Sequence, residues 1–244
     1  MQITLTNLKG AAQKLGYKWF PDSINIIGVR TNIQVPDVFN DFLCCVFKQP
    51  QMPAFTTLLD KQKWLNKWAY KGKDGKSLAE DNKPGSNTNF ALEQYSNDQS
   101  KERLLLYTIT TEPGVYYQTI KLLDPKGCAV MKPGQYVGSY RLGIHKTEDH
   151  KALIQTGGKI KIYRDNDKDG IAENLGVEEE GFFGCNIHGA KKLTKTDKIG
   201  AYSAGCQVFQ DWFAKEEFIG ICEQMKTTNE GKFTYTLIGE SDLQ

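Results

Sequence analysis

From residue 103 onward the chain is a succession of short β-branched and aromatic runs: RLLLYTIT, VYYQTIKLL, CAVM, QYVGSYRLG, KIKIYRD, GFFGCNIHG and CQVF, separated by Gly, Pro and polar turns. Runs of strand length bounded by turn residues restrict such a chain to packed or rolled-up sheets. One segment breaks the pattern. In DWFAKEEFIGICEQM (211–225), Trp212, Phe213, Phe218, Ile219, Cys222 and Met225 recur at helical spacing and make Cys222 a core residue. KFTYTLIG (232–239) then reads as a closing strand.

The first hundred residues are more mixed. TNLKGAAQKLG (6–16) predicts a helix with Thr6 as cap and Gly16 as stop, and SINIIGVR (23–30) predicts a strand. Pro36 is expected to open a second helix, with Val38, Phe39, Phe42, Leu43, Val46 and Phe47 on a broad apolar face. Residues 58–70 carry Leu58, Leu59, Trp64, Leu65 and Trp68, as a helix or as packed irregular chain. The stretch 71–100 is rich in Gly, Asn, Asp, Ser and Lys and reads as a flexible surface excursion. The expectation is an α+β protein: an N-terminal α/β region over 1–100 and a β-rich domain over 101–244.

Composition removes several function classes. With 31 basic and 29 acidic residues the net charge is +2, which gives no broad electrostatic case for nucleic acid. The longest apolar runs, such as Leu104–Leu106, are too short to span a bilayer, so membrane insertion is not expected. MQITLTNLKGAAQKLGYKWF lacks the basic start and apolar stretch of a secretory signal, which predicts a chain that is cytoplasmic on synthesis. The six cysteines show no CxxC spacing, so zinc-ribbon and thioredoxin-like readings are poor and buried free thiols are the expectation for five of them. Adjacent Cys44 and Cys45 fall inside the helical-looking PDVFNDFLCCVFKQ.

The sixth cysteine sits in NIHGAKKLTKTDKIGAYSAGCQVF, which places His188-Gly189 eighteen residues ahead of Cys206. A thiol is a usable nucleophile near neutral pH once an imidazole takes its proton. Small residues on both sides of Cys206 let a substrate carbonyl approach the main chain, whose N–H groups are candidates for an oxyanion site. Only three histidines occur in the chain, so a His-Gly feeding into Ser203-Ala204-Gly205-Cys206 is not composition noise.

The segment from about Val115 to Phe209 resembles the catalytic domain of L,D-transpeptidases, the YkuD-type cysteine enzymes that act on peptidoglycan stem peptides. The likeness rests on Ile187-His188-Gly189, Gly200 and Ser203-x-Gly205-Cys206 at that spacing. It implies a β-rich catalytic domain of mixed sheets or a sandwich, with Cys206 as the nucleophile that becomes acylated and His188 as its base. It further implies Gly205, Cys206 and Ala204 as oxyanion donors, Ser203 as a brace for the loop and Gly189 as the backbone that orients the imidazole. Members commonly carry a histidine at the place of Ala204 and an Arg or Asn at the place of Val208. Together with the missing signal, those departures tilt the expectation toward a lysin-like hydrolase that acts at the cell wall once released or delivered, with a virion or secretion apparatus as partner. The alternative is a catalytically inactive wall-binding or virion-assembly module on the same fold.

Other residues invite a site. Asp165, Asp167 and Asp169 followed by Gly170 have the opening of a calcium loop, although Gly176 stands where the twelfth-position Glu belongs. The alternatives are structural calcium and a polar turn; no cofactor is expected to be required. His145 and His150, near Glu148 and Asp149, read as a metal or substrate patch or as an exposed turn. Tyr136 and Tyr140 alternate on QYVGSYRLG, as cleft walls that would bind substrate with His145 or as ordinary strand packing.

Overall fold

The computed structural model describes residues 2–99, 101–145, 149–173, 176–225 and 231–244. Its strands are β1 (Asn25–Arg30), β2 (Asp41–Lys48), β3 (Glu102–Thr110), β4 (Cys128–Met131), β5 (Gly134–His145) and β6 (His150–Ile154). They continue with β7 (Ile160–Asp165), β8 (Glu178–Gly181), β9 (Ile187–Gly189), β10 (Gln207–Phe209) and β11 (Phe233–Gly239). Four α-helices accompany them: α1 (Leu5–Lys14), α2 (Leu58–Lys67), α3 (Ser86–Asp98) and α4 (Trp212–Met225). The α+β expectation therefore holds at the level of class.

Eight strands close into a barrel in the order β1-β11-β5-β6-β9-β10-β3-β2, and β4, β7 and β8 form a separate three-stranded sheet. Residue 100 does not separate two sheets. Strands β1 and β2 from the N-terminal side complete the barrel, with β1 parallel to β11 and β2 antiparallel to β3. Alternation along each strand sends one set of side chains into the core and the other outward. Ile26, Leu43, Phe47, Ile109, Ile187 and Phe209 belong to the inner set, where Phe218, Ile219 and Cys222 of α4 join them. Outside β1, β2 and β11, Leu8 and Ala11 of α1 cover Ile27, Val29, Cys44, Val46 and Ile238. A capping box starts that helix at Thr4, whose hydroxyl accepts from the Asn7 N–H.

Three expectations need correction. The helix expected after Pro36 is strand β2. Its residues are buried on both faces, between the core and α1, so the apolar run has no visible period, and eight in-register pairs with β3 decide its form. The expected excursion 71–100 contains α3, anchored by Thr88, Ala91 and Tyr95. Tyr95 packs edge-on to Trp64 at 5.0 Å, and the buried Gln62 amide donates to Asp81, to Thr88 and to the Lys83 carbonyl. VYYQTIKLL, expected as a strand, instead contains a π-helical turn over Tyr116–Ile120, where Gln118 donates to the Pro113 carbonyl at 2.6 Å.

Candidate functional site

Strands β9 and β10 are parallel neighbours in register, with Val208 opposite His188 and Gln207 opposite Ile187. Paired positions share a face, and alternation returns to that face two residues away. His188, Val208 and Cys206 therefore look out from the same side of the wall, with the thiol about 7 Å further along. Cys206 packs beside the small outer cluster of Phe39, Ala190, Ile199 and Val208. It is half-buried, whereas Cys44, Cys45, Cys128, Cys185 and Cys222 are fully buried, which matches the expectation for those five.

The loop that carries the thiol is held from several directions. Ser203 Oγ donates to the Cys206 carbonyl at 2.9 Å and accepts the Gly205 N–H at 3.2 Å. Ser203 thus ties the two ends of the loop together through a hydrogen-bond pair. The same bond occupies the Gly205 N–H inside the loop, which removes it as an oxyanion donor in this conformation. Gly205 has φ +120, and a Cβ there would lie 2.5 Å from the Ala129 carbonyl oxygen, so β4 seats the loop only because the residue is glycine. From the core side, Tyr235 donates to Gln207 Oε1 at 2.8 Å, and Gln207 Nε2 donates to the Gly205 carbonyl at 3.4 Å.

The thiol and the imidazole do not touch. Cys206 Sγ donates to the Gly184 carbonyl at 3.4 Å, while His188 Nε2 is buried without a hydrogen-bond partner. Burial pushes the thiol up to about 11, against a small opposing pull from the Asn186 N–H. Burial, reinforced by His145 alongside, pushes the imidazole down to about 3. The resting pair is a neutral thiol and a neutral imidazole.

His188 is instead gathered with the other two histidines of the chain. Its ring stacks on His145 at 4.1 Å between centroids and lies 6.1 Å from His150. The placement follows from pairing across three strands: His145 opposes His150 between β5 and β6, and Leu153 opposes Ile187 between β6 and β9. His150, read as belonging either to a metal or substrate patch or to an exposed turn, is buried at the start of β6 with Trp212 edge-on to it at 4.8 Å. Glu148, named with it, lies outside the described residues. Gly189 contributes its carbonyl, 2.8 Å from His188 Nδ1, and its missing side chain leaves room for Trp212 and Lys215.

The remaining candidates are structural. Tyr136 and Tyr140 are buried, and their hydroxyls donate to the carbonyls of Lys132 and Cys185; Tyr136 also lines a surface cavity with Gln135, Val137 and Lys161, whose walls include neither Cys206 nor His188. Ala204 is half-buried beside the thiol. Asp165, Asp167 and Asp169 spend their carboxylates on a turn: Asp165 accepts the Glu173 N–H, Asp167 that of Asp169, and Asp169 that of Ile171. Among the described residues the one set of three metal-capable side chains that converges is His145, His150 and His188; the three aspartates are not among them.

Residues without a sequence motif hold the surroundings. Gln155 Oε1 accepts the N–H groups of Phe183 and Gly184, which fixes the carbonyl that accepts the Cys206 hydrogen bond. Asp37, at φ +63, accepts the Gly200 N–H at 2.6 Å and ties down the crossover between β9 and β10. Only an aspartate next to Pro36 hinted at the latter, and nothing in LIQTGG marks Gln155. No helix among the described residues is long and apolar enough to cross a membrane. Comparison with protein-family models, with curated proteins and with solved structures finds no match to this chain.

Proposed function

We propose that the protein is a cysteine-dependent hydrolase or acyltransferase acting on peptidoglycan stem peptides, with Cys206 as nucleophile and His188 as base. The observation that carries this reading is positional. The one cysteine of six that is not buried shares an outward face with a histidine on the adjoining parallel strand. In the reaction, Sγ turns from the Gly184 carbonyl toward His188 and passes its proton to Nε2 as it attacks the peptide carbonyl. The imidazolium returns that proton to the departing amine, leaving a thioester on Cys206. Water then releases the acid, or a second amine completes transfer. A neutral resting pair suits this order, because the proton moves only as the attack develops. Val208, buried where the L,D-transpeptidases carry Arg or Asn, offers no polar anchor for an acceptor strand, which favours hydrolysis.

The test is product release from purified sacculi, read by mass spectrometry. Cleaved stem peptides from the native chain and none from Cys206→Ala support the reading; equal cleavage by Cys206→Ala overturns it. The parting of thiol from imidazole favours a second reading, a wall-binding module on the same scaffold. That reading predicts sacculus pull-down without released product, and no labelling of Cys206 by iodoacetamide near neutral pH.

A further inference from the structure

We infer that His145, His150 and His188 form a binding site for a divalent transition-metal ion of the zinc class, and that the ion, when bound, takes His188 away from Cys206. The second half of this inference rests on the role given to those two residues above; the first does not.

All three histidines of the chain converge although they come from three different strands, and one nitrogen of each lies within 4.8 Å of the others. Around a four-coordinate zinc with bonds of 2.0–2.1 Å, ligand nitrogens stand roughly 3.4 Å apart, so binding requires the stacked His145 and His188 rings to turn out of their near-parallel arrangement and draw the set together. The tautomers are already suited to ligation. Carbonyl oxygens only accept, so the ring atoms facing them carry the protons. These are His188 Nδ1, 2.8 Å from the Gly189 oxygen, and His150 Nδ1, 2.9 Å from the Lys151 oxygen. Each leaves Nε2 with its lone pair, which is how backbone carbonyls orient histidine ligands in metal sites.

Two of these nitrogens supply an independent pointer. His188 Nε2 and His145 Nδ1 are buried polar atoms without a hydrogen-bond partner. A buried acceptor left unsatisfied costs about 1–3 kcal/mol, and an ion placed where the in-plane lone pairs of the two rings can meet would satisfy both. Three neutral imidazoles match a borderline ion such as Zn²⁺ and not calcium or magnesium, which prefer oxygen. His145 is half-exposed at the end of β5, which gives the ion a route in and leaves a fourth position for water. The nearby Lys215 ammonium is paired with Glu216, which offsets its repulsion of a bound cation.

The consequence for chemistry is direct. The Nε2 lone pair that ligates the ion is the one that would accept the Cys206 proton. Occupancy therefore switches the base off without touching the thiol.

The experiment uses the full chain, stripped with EDTA and titrated with ZnCl₂ against a chromogenic chelator. One equivalent should bind to the native chain and to Cys206→Ala, and affinity should fall about 100-fold or more in His145→Gln and His150→Gln. Unchanged binding in both histidine variants, or binding lost in Cys206→Ala, overturns the site. Circular dichroism checks folding. If the buried His150→Gln does not fold, the half-exposed His145→Gln decides. Cobalt substitution adds a spectroscopic readout: visible d–d bands without the near-ultraviolet thiolate band are expected, and a thiolate band overturns the three-histidine assignment. Sacculus cleavage with one equivalent of zinc should drop at least tenfold relative to EDTA. Cleavage unaffected by bound zinc overturns the switch and leaves the site. No cleavage under either condition speaks against the proposed activity alone, because the zinc titration is read without it.

Discussion

Over β1, β2 and β11 the outward positions of the barrel are Ile27, Val29, Cys44, Val46 and Ile238, sealed by Leu8 and Ala11 of α1. Over β5, β6, β9 and β10 the outward positions are His145, His150, His188 and Val208, with Cys206 immediately before the start of β10. The two walls share one barrel and one alternation of side chains, yet they contribute oppositely. The first removes apolar surface from water and adds stability at about 25 cal/mol per Å². On the second, His145 Nδ1 and His188 Nε2 are buried without hydrogen-bond partners, which lowers stability. Apolar burial belongs to one wall and the proposed chemistry to the other, and substitutions can separate the two.

The largest effect belongs to the thiol. Cys206→Ala should reduce release of stem peptides from sacculi by about 10⁴-fold or more, the scale seen when a covalent nucleophile is removed. Because Cys206 is half-buried at the edge of a small cluster, unfolding stability in urea should change by no more than about 1 kcal/mol. A large loss of stability would mean that this wall also carries the fold.

The mirror experiment is on the other wall. Leu8 is 1% exposed, and Leu8→Ala should cost about 2–5 kcal/mol in urea unfolding while turnover per folded molecule stays level. A drop in turnover with the fold intact would erase the division between the walls.

The two walls also differ in how far they could be read from residues alone. The strand beneath α1 was mistaken for a helix, because β2 is buried on both faces and its apolar residues show no period of two. Strands β1, β4, β7, β10 and β11 were legible, since each is a short run between turn residues. Across the eighteen-residue spacing, His188 lies on β9 and Cys206 stands immediately before β10, its parallel neighbour. The gathering of His145 and His150 around His188 depends on long-range pairing of β5, β6 and β9, to which local spacing is blind. Asp37 and Gln155 carry no local signal for a related reason: each acts through backbone groups far away in sequence.

Acid should expose the cost of the reactive wall. The His188 imidazole sits at about 3 in the fold because burial and His145 disfavour its charge, against about 6.5 in an unfolded chain. A group depressed on folding contributes stability fully above its unfolded value and loses it as pH falls toward the folded one. Between pH 6.5 and 3 the native chain should therefore lose up to about 1.4 kcal/mol per pH unit from this residue. Urea midpoints across that range should fall more steeply for the native chain than for His188→Gln. Parallel curves would show that His188 is not held neutral by the fold.

The smallest effect tests whether surface charge props up the reactive wall. Lys151, next to His150 on β6, pairs with Glu223 of α4 at 2.6 Å, with the lysine side chain 59% exposed and the glutamate 34%. An exposed pair of this kind contributes about 0.2–1 kcal/mol, because water screens it and two long side chains must be ordered. Lys151→Ala should lower unfolding stability by that amount and leave zinc stoichiometry unchanged, since the ligand nitrogens are set by strand pairing and backbone carbonyls. The double variant Lys151→Ala with Glu223→Ala should cost little more than either alone, as expected when one weak interaction is all that the two residues share. A loss above about 2 kcal/mol, or a change in stoichiometry, would mean that α4 clamps the histidine wall in place, and the site would then belong to the helix as much as to the barrel.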